Sequence, residues 1–343
     1  MIYNNDTKSP VHEVQKDLYR FFESVSDGNG FFDNDVRRDL ANVKLKKEDG
    51  GEDKYSENSL CFRNNINKVF DLEGSATFSQ KYRQATSGDG KEKRRIRTLH
   101  SSSLLAFLVF QGVSEKNPLR ITLKDGQNAI FTESYFEMQN PIQGNNQPSN
   151  MDVTLVGHKE GSPSQEIVLF LESKFSEYLS NGKVTGISGD VYGRIYSRIF
   201  TGERKWDMVK EDIPDGTITI ASKPKTSHYC TGIKQMISHY LGATNSVRQG
   251  WNLLVKKQHQ LDKDADYYLG EILFDFGSHV RKAQDKFKDY SALYKELAET
   301  LNTIAEEDGE KLSVLSEDFT YQELLKKNPD FNPGEYVKRF YGF

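Results

Sequence analysis

The middle of the chain holds most of its ordered apolar pattern, and that pattern predicts a helix followed by three strands. Leu104–Val113 is the longest uncharged, largely apolar run, and it directly follows His100 and three serines, which predicts a buried helix with a serine N-cap. Ala129–Ile142 alternates between apolar and polar residues, Met151–Val156 is short, and Glu166–Phe175 is long and apolar. These three segments are predicted to be strands.

The remaining ordered segments predict a second helix, a further strand and a C-terminal helix. Gly232–Leu241 has helical spacing, Asp266–Phe276 is strand-like, and a helix is expected from about Lys286 to Ile304. Between residues 99 and 276 the predicted order is therefore helix, strand, strand, strand, helix, strand. This order predicts an α/β fold with a mixed central sheet between helices in three layers.

The first hundred residues differ in composition from the rest. Val11–Val25 has helical spacing, but the following sequence is rich in Gly, Asp and Lys, which is typical of loops. We therefore divide the chain into a helical, loop-rich N-terminal region (1–95), a core (96–280) and a C-terminal helical extension (281–343). Both terminal regions are expected to pack on the core.

Composition places the chain among soluble globular proteins. Hydrophobic residues make up 36% and aromatic residues 12%, which is enough for a substantial core. The longest apolar run has about half of the roughly 20 residues that cross a bilayer, and the N-terminus lacks a signal-peptide pattern. Two cysteines, Cys61 and Cys230, cannot form a disulfide framework or a four-cysteine zinc site. We expect a cytoplasmic protein with no membrane partner.

The net charge of −4 excludes a protein that coats nucleic acid through bulk positive charge. A net charge of −4 is still compatible with a local basic face that binds nucleic acid. The densest basic run is Lys91–Arg97, and Lys93, Arg94, Arg95 and Arg97 are candidate phosphate contacts. A solvated loop is the alternative interpretation, since charge runs are common on surfaces.

One short motif carries most of the candidate chemistry. Glu172-Ser173-Lys174 ends the apolar run Ile167–Leu171, which is typical of a strand buried on both faces. The two-residue period of a strand places Glu172 and Lys174 on the same face. Two charges at the end of a buried strand need partners or a function, because burial of an unpaired charge is costly.

A third charged residue is expected beside this motif. Gly161 and Pro163 lie between the second and third predicted strands and indicate a hairpin with its turn near residue 162. In an antiparallel hairpin centred there, Asp152 pairs with Glu172. Two carboxylates and Lys174 would then converge at one end of the sheet.

These residue types suit a hydrolytic site built around a hard metal ion. Mg²⁺ prefers oxygen ligands and commonly takes only one or two carboxylates from the protein, leaving positions for water and phosphate. Such an ion lowers the pKa of a bound water and neutralises charge on a phosphodiester. A lysine beside it can orient the water and stabilise the pentavalent phosphate. The alternative is a structural salt bridge of Lys174 with Asp152 or Glu172.

Asp152, followed by Glu172-Ser173-Lys174 at the end of an apolar strand, resembles the PD-(D/E)xK superfamily of restriction-endonuclease-like phosphodiesterases. The resemblance covers roughly residues 99–276, where the predicted element order is also similar. It implies that Asp152 and Glu172 bind the metal with the Ser173 carbonyl as a third ligand, and that Lys174 is the catalytic lysine. It further implies a catalytic contribution from the next helix, for which Gln235 is the candidate. Asn150-Met151 stands where many members have proline.

Glu137, on the first predicted strand, is a candidate ligand for a second metal ion. It shares one face of that strand with Glu133, and an outward polar face explains both residues equally well. His228 and His239 flank the Gln235 helix, and packing is the favoured interpretation of both.

The function expected from the sequence is Mg²⁺-dependent hydrolysis of DNA by an endonuclease, in a bacterial restriction or defence role. Mn²⁺ is the alternative ion, and RNA stays open as a substrate. Cutting both strands with one site per chain favours a homodimer. The competing hypothesis is a non-catalytic nucleic-acid-binding or interaction protein that keeps the fold.

Overall fold

The structure is a computed structural model that describes the core and parts of both terminal regions. The described residues are 21, 76–87, 96, 101–179, 185–188, 192, 195, 198–199, 206–209, 217–222, 230–280, 283–317, 319–334, 337 and 341–343. Apart from Phe21, the predicted helix Val11–Val25 lies outside them. The basic run and His228 do so too, except for Ile96 within the run.

Among the described residues, eight strands form one mixed sheet. Their spatial order is β11-β10-β4-β3-β2-β8-β9, and β1 also pairs with β2. The strands are β1 (Leu119–Thr122), β2 (Asn128–Asn140), β3 (Ser149–Lys159), β4 (Ser162–Lys174), β8 (Trp251–Leu254), β9 (Lys257–Gln260), β10 (Asp266–Leu273) and β11 (Leu312–Val314).

The helices described on or beside this sheet are α1 (Ala76–Ala85), α2 (Ser102–Phe110), α3 (Cys230–Gln249), α4 (Ala283–Asp308) and α5 (Tyr321–Lys327). The expected α/β architecture, a mixed sheet flanked by helices, is therefore confirmed. None of the described helices is both long and apolar enough to cross a membrane.

The central strands have the predicted register. β3 and β4 form an antiparallel hairpin in which Val153 pairs with Leu171, and continuing this register by one residue places Asp152 opposite Glu172. β10 runs parallel to β4 on the other side, and there Glu271 pairs with Glu172. The sheet is mixed because the long connection from β4 through the small sheet, α3 and the β8–β9 hairpin ends in β10, which lies beside β4 and runs in the same direction.

Helix α2 begins where the serine-rich sequence predicts. The Ser101 side chain accepts a hydrogen bond from the Leu104 amide at 3.0 Å, so Ser101 is the N-cap. The helix is buried on nearly every side, with Leu104 to Phe110 all in the core. At its C-terminal end, the Lys81 ammonium donates to the carbonyls of Gln111 and Val113 and so satisfies groups that the helix leaves unpaired.

The structure also contains elements that the sequence patterns did not indicate. A small antiparallel sheet is inserted between β4 and α3, with the order β5-β7-β6. Its strands are β5 (Thr185–Ser188), β6 (Trp206–Val209) and β7 (Thr217–Ser222). The β1 strand, the β8–β9 hairpin and β11 are further additions. Apart from β7, which has six residues, these strands have three or four residues each, and strands of that length give little periodic signal.

The terminal regions contribute to the same core. Phe21 is buried against Phe274 and Phe276, with ring centroids 5.5 and 5.0 Å apart. Tyr341 packs against Phe274 from the C-terminal end, at 5.8 Å. These edge-to-face and tilted contacts cover the stretch that directly follows β10.

Helix α3 approaches the sheet closely at Gly242. A Cβ atom at this position would lie 2.8 Å from the Asn140 carbonyl oxygen and 2.9 Å from the Ser149 Cβ. Both distances are shorter than real carbon contacts permit, so only glycine allows α3 to sit against the ends of β2 and β3.

We predict that Gly242→Ala destabilises the fold. Alanine gains about 1 kcal/mol of helix propensity, but the clash with backbone atoms costs about 1–3 kcal/mol and should exceed this gain. Urea denaturation should show a lower free energy of unfolding than in the parent. Gln249→Ala, on an exposed face of the same helix, is the control and should change stability little. A Gly242→Ala variant more stable than the parent would contradict the close packing.

Candidate active site

The end of β4 presents its side chains to two different helical layers. Glu172 and Lys174 contact residues of α3, on one face of the sheet. Ser173, between them, faces the other layer, where its hydroxyl donates to the Ser102 carbonyl at 3.0 Å and lies 2.7 Å from the Tyr321 hydroxyl. The alternation predicted from the strand period is confirmed.

Lys174 is a fully buried cation with two side-chain acceptors. Its side chain is 2% exposed, and its ammonium donates to Glu172 Oε1 at 2.5 Å and to Gln235 Oε1 at 2.8 Å. Gln235 lies on α3, so the structure brings together three of the four residues expected to be catalytic. The fourth, Asp152, comes opposite Glu172 when the β3–β4 register is extended by one residue beyond the Val153–Leu171 pair.

His239 completes this group, although the sequence analysis had assigned it to packing. It lies one helical turn after Gln235, and its Nε2 is 2.9 Å from Glu172 Oε2. Its Nδ1 is 2.5 Å from the Ser149 hydroxyl at the start of β3. The four-residue spacing from Gln235 placed both side chains on one helix face, which was the available signal.

The two buried charges stabilise each other's ionised forms. Burial raises the pKa of Glu172, but Lys174 and His239 outweigh it and lower the pKa from 4.5 to about 2. Burial likewise disfavours the Lys174 cation, but Glu172, Glu271 and Glu177 raise its pKa above 10.5. Because the folded-state pKa of Glu172 is depressed, its contribution to stability is present above pH 4.5 and is lost as pH falls toward 2.

Asp152 is held by donors from the neighbouring strand and from α2. Its Oδ2 accepts the Ser173 backbone N–H at 2.8 Å, and its Oδ1 accepts the Ser103 hydroxyl at 3.2 Å. The carboxylate therefore lies against the β4 backbone directly after Glu172. The N-terminal turn of α2 has a role beyond capping, because it supplies Ser103 to this carboxylate.

Acidic residues occupy one level of the sheet on four adjacent strands. Glu271 on β10 pairs with Glu172, and Asp152 on β3 is opposite Glu172. Glu137 on β2 is opposite Asp152, since the pairs on either side of them are in register. Glu137 is buried and has a left-handed backbone, with φ of 51°. Glu133, expected on the same strand face, is exposed, so the two glutamates differ in burial.

Glu271 is a buried acid that the sequence analysis missed. It is 1% exposed, and one of its oxygens, Oε2, accepts the Tyr290 hydroxyl at 2.6 Å. Its Oε1 is buried and has no hydrogen-bond partner among the described residues. Burial raises the pKa of this carboxyl. Lys174 and the hydrogen bond from Tyr290 lower it, but burial outweighs them and the pKa is about 7. Gly232 permits this arrangement, since a Cβ there would lie 2.6 Å from the Tyr290 hydroxyl oxygen.

The donor set at the end of β4 is compatible with a hard divalent ion. Asp152 and Glu172 supply carboxylate oxygens, and Mg²⁺ needs no more than one or two of these from a protein. Among the described residues, however, no three His, Cys, Asp or Glu side chains are grouped as a metal cluster. Both Glu172 oxygens also have protein partners, so an ion there would use a second lone pair of an oxygen that already accepts from Lys174 or His239. The metal-ligand roles of Asp152, Glu172, Ser173 and Glu137 stay predictions, as do the phosphate contacts of the basic run.

Comparisons with known proteins give no assignment. No protein-family model, no curated protein and no solved structure matches this chain.

We predict that Glu271 makes the fold less stable at neutral and alkaline pH. Its folded-state pKa of about 7 lies above the ordinary 4.5, so the folded protein binds more protons and stability falls as pH rises from 4.5 to 7. The loss should be about 3 kcal/mol. Glu271→Gln removes the charge but keeps an acceptor for Tyr290, so the variant should exceed the parent in stability at pH 8.

Urea denaturation at pH 5 and pH 8 measures this difference directly. Glu299→Gln, at an exposed position on α4, is the control and should follow the parent at both pH values. If Glu271→Gln also follows the parent, the buried carboxyl does not take up its proton in this range.

Proposed function

We propose that this chain is a divalent-cation-dependent endonuclease that hydrolyses DNA, with a restriction-endonuclease-like core and its active site at the end of β4. The observation that carries the proposal is the buried Lys174 ammonium, held between Glu172 and Gln235, with Asp152 opposite Glu172 in register. The resemblance to PD-(D/E)xK phosphodiesterases supports the same roles. A role in bacterial restriction or defence and a homodimer are part of this proposal.

Burial is the feature that distinguishes this lysine from a surface cation. An ammonium taken from water costs several kcal/mol unless it is paired and hydrogen-bonded. Hydrophobic residues of the same volume would stabilise the core at least as well, so a buried pair is weak evidence for a purely stabilising role. Because its pKa is raised, however, the Lys174 ammonium stays positively charged at neutral pH and can attract a phosphate.

Each residue of the site then has a distinct part in the reaction. Asp152 and Glu172 would hold the ion, which supplies charge neutralisation and a lowered pKa for water when it is bound. Lys174 orients the attacking water and stabilises negative charge on the pentavalent phosphate. Gln235 and His239 position Lys174 and Glu172, respectively, through the contacts of 2.8 and 2.9 Å. No covalent enzyme intermediate is required.

One observation favours the alternative, a non-catalytic protein that binds nucleic acid or another partner. Lys174 and His239 already occupy both oxygens of Glu172, as expected of a closed structural network. In that case the network fixes α3 against β4 and has no chemical role. The two hypotheses differ in whether the site binds an ion.

The decisive test compares Asp152→Asn and Lys174→Met with the parent. Asp152→Asn removes a charged ligand and should abolish both Mn²⁺ binding and nicking of supercoiled plasmid. Lys174→Met should lower cleavage at least about a hundredfold, because it removes stabilisation of the transition state. It should spare ion binding, since the lysine is not a ligand. Isothermal titration with Mn²⁺ and plasmid cleavage with Mg²⁺, with and without EDTA, measure the two properties.

Exposed residues supply the matched controls. Asp264→Asn and Lys288→Met make the same chemical changes at exposed positions and should alter neither property. Lys174→Met leaves the Glu172 carboxylate buried with one partner fewer, so circular dichroism must show that the variant is folded. A parent that binds no divalent ion and nicks no plasmid would refute the nuclease and favour the non-catalytic alternative.

A further inference from the structure

The turn between β8 and β9 has an unusual sequence for its geometry. Leu254 pairs with Lys257, so the hairpin loop consists of Val255 and Lys256 alone. Their φ angles are 51° and 64°, the left-handed pair that defines a type I′ turn. Asn-Gly is the favoured sequence in such a turn, and a β-branched residue is among the least suited.

The unsuitable residue is also exposed. Val255 is 46% exposed, and it is the only exposed large hydrophobic residue among those whose burial the structure describes. A single exposed apolar residue needs no explanation by itself. An exposed valine in a conformation that disfavours valine gains neither burial nor local stability, so the fold itself gives no reason for this residue type.

The neighbouring residues give this tip a positive charge. Lys256 and Lys257 are both exposed and directly follow Val255. The rest of β9 is polar, with Gln258 and Gln260 exposed, and β9 forms the edge of the sheet. An apolar tip beside two lysines is complementary to a groove bordered by phosphates.

The sheet register places this turn at the level of the candidate active site. Gln139 pairs with Leu253, and continuing that register puts Val255 beside Glu137. Glu137 is itself opposite Asp152. The turn is thus three strands from β4, or about 14 Å at the usual strand spacing. This separation is comparable to the width of a DNA groove, about 12 Å for the major groove. Glu137, Val255 and Lys256 are also the only described non-glycine residues with positive φ.

We propose that the turn formed by Val255, Lys256 and Lys257 is a second contact with duplex DNA. The Val255 side chain enters a groove of the duplex, and the two lysines bind phosphates on its borders. The inference rests on the proposed nuclease function, and it identifies the substrate as a double strand that extends from β4 across β3 and β2 to the hairpin.

Two variants separate the apolar contact from the charged one. Val255→Asn suits a type I′ turn better than valine does, so its melting temperature should equal or exceed that of the parent. Its affinity for a labelled duplex should nevertheless fall about tenfold, the loss expected for one valine-sized apolar contact. Its affinity for the corresponding single strand, which has no groove, should hold.

The double variant Lys256→Gln, Lys257→Gln should respond to salt instead. Losing two phosphate contacts should reduce the slope of log affinity against log salt by about 1.8. The control is Lys116→Gln, Lys124→Gln, which removes two exposed lysines near the opposite end of β2 and should leave the slope unchanged. Fluorescence anisotropy with Ca²⁺ in place of Mg²⁺ measures these affinities, with gels to show that the duplex stays intact.

The outcomes distinguish this inference from the nuclease proposal. A parent that cuts DNA, with both hairpin variants equal to it in affinity and salt slope, refutes the hairpin contact alone. Equal losses of duplex and single-strand affinity in Val255→Asn refute the groove contact. A parent that neither binds nor cuts DNA refutes the nuclease proposal, and the hairpin contact with it.

Discussion

The buried ion pair between Lys174 and Glu172 is the constraint around which the rest of the site is arranged. Neither charge could be removed from water alone, so each requires the other and further donors or acceptors within hydrogen-bonding distance. Gln235 and His239 meet this requirement only because α3 lies close to β4. Gly242 permits the close contact of α3 with the neighbouring strands β2 and β3, which makes the closeness of α3 to the sheet a condition for both the fold and the candidate chemistry.

The same pair explains why two carboxyls on adjacent strands differ so much in proton affinity. Glu172 and Glu271 are paired in register and are both buried, but Lys174 and His239 lie on Glu172 and hold its pKa at about 2. Glu271 has a tyrosine hydroxyl and a more distant cation, and burial raises its pKa to about 7. Contact with a cation, rather than depth of burial, therefore decides which acid is ionised.

Sequence patterns predicted the parts of the site that depend on local geometry. The two-residue strand period placed Glu172 and Lys174 on one face, and the turn near Gly161 fixed the register that aligns Asp152 with Glu172. Glu271 was not predictable in this way, because the parallel pairing of β10 with β4 joins segments about a hundred residues apart. The four-residue spacing between Gln235 and His239 was visible in the sequence. His239 was nevertheless missed, because tertiary packing decides which face of α3 turns toward the sheet. The β8–β9 hairpin was missed because Val255-Lys256 carries none of the usual turn residues.

The mismatch between residue type and turn conformation at Val255-Lys256 is informative, because elsewhere in the core the residue types suit the local conformation that the fold requires. Ser101 caps α2, Gly161 lies in the β3–β4 turn, and the apolar run of β4 is buried on both faces. Departures from such agreement in folded proteins are concentrated where a function opposes stability. Here the departures are the buried charges at the end of β4, the left-handed Glu137 and the Val255 turn, and the register of the sheet aligns all three at one level. A sheet that is conventional elsewhere and costly along a single row agrees with the proposed function, in which this row lies beside an extended, highly charged substrate.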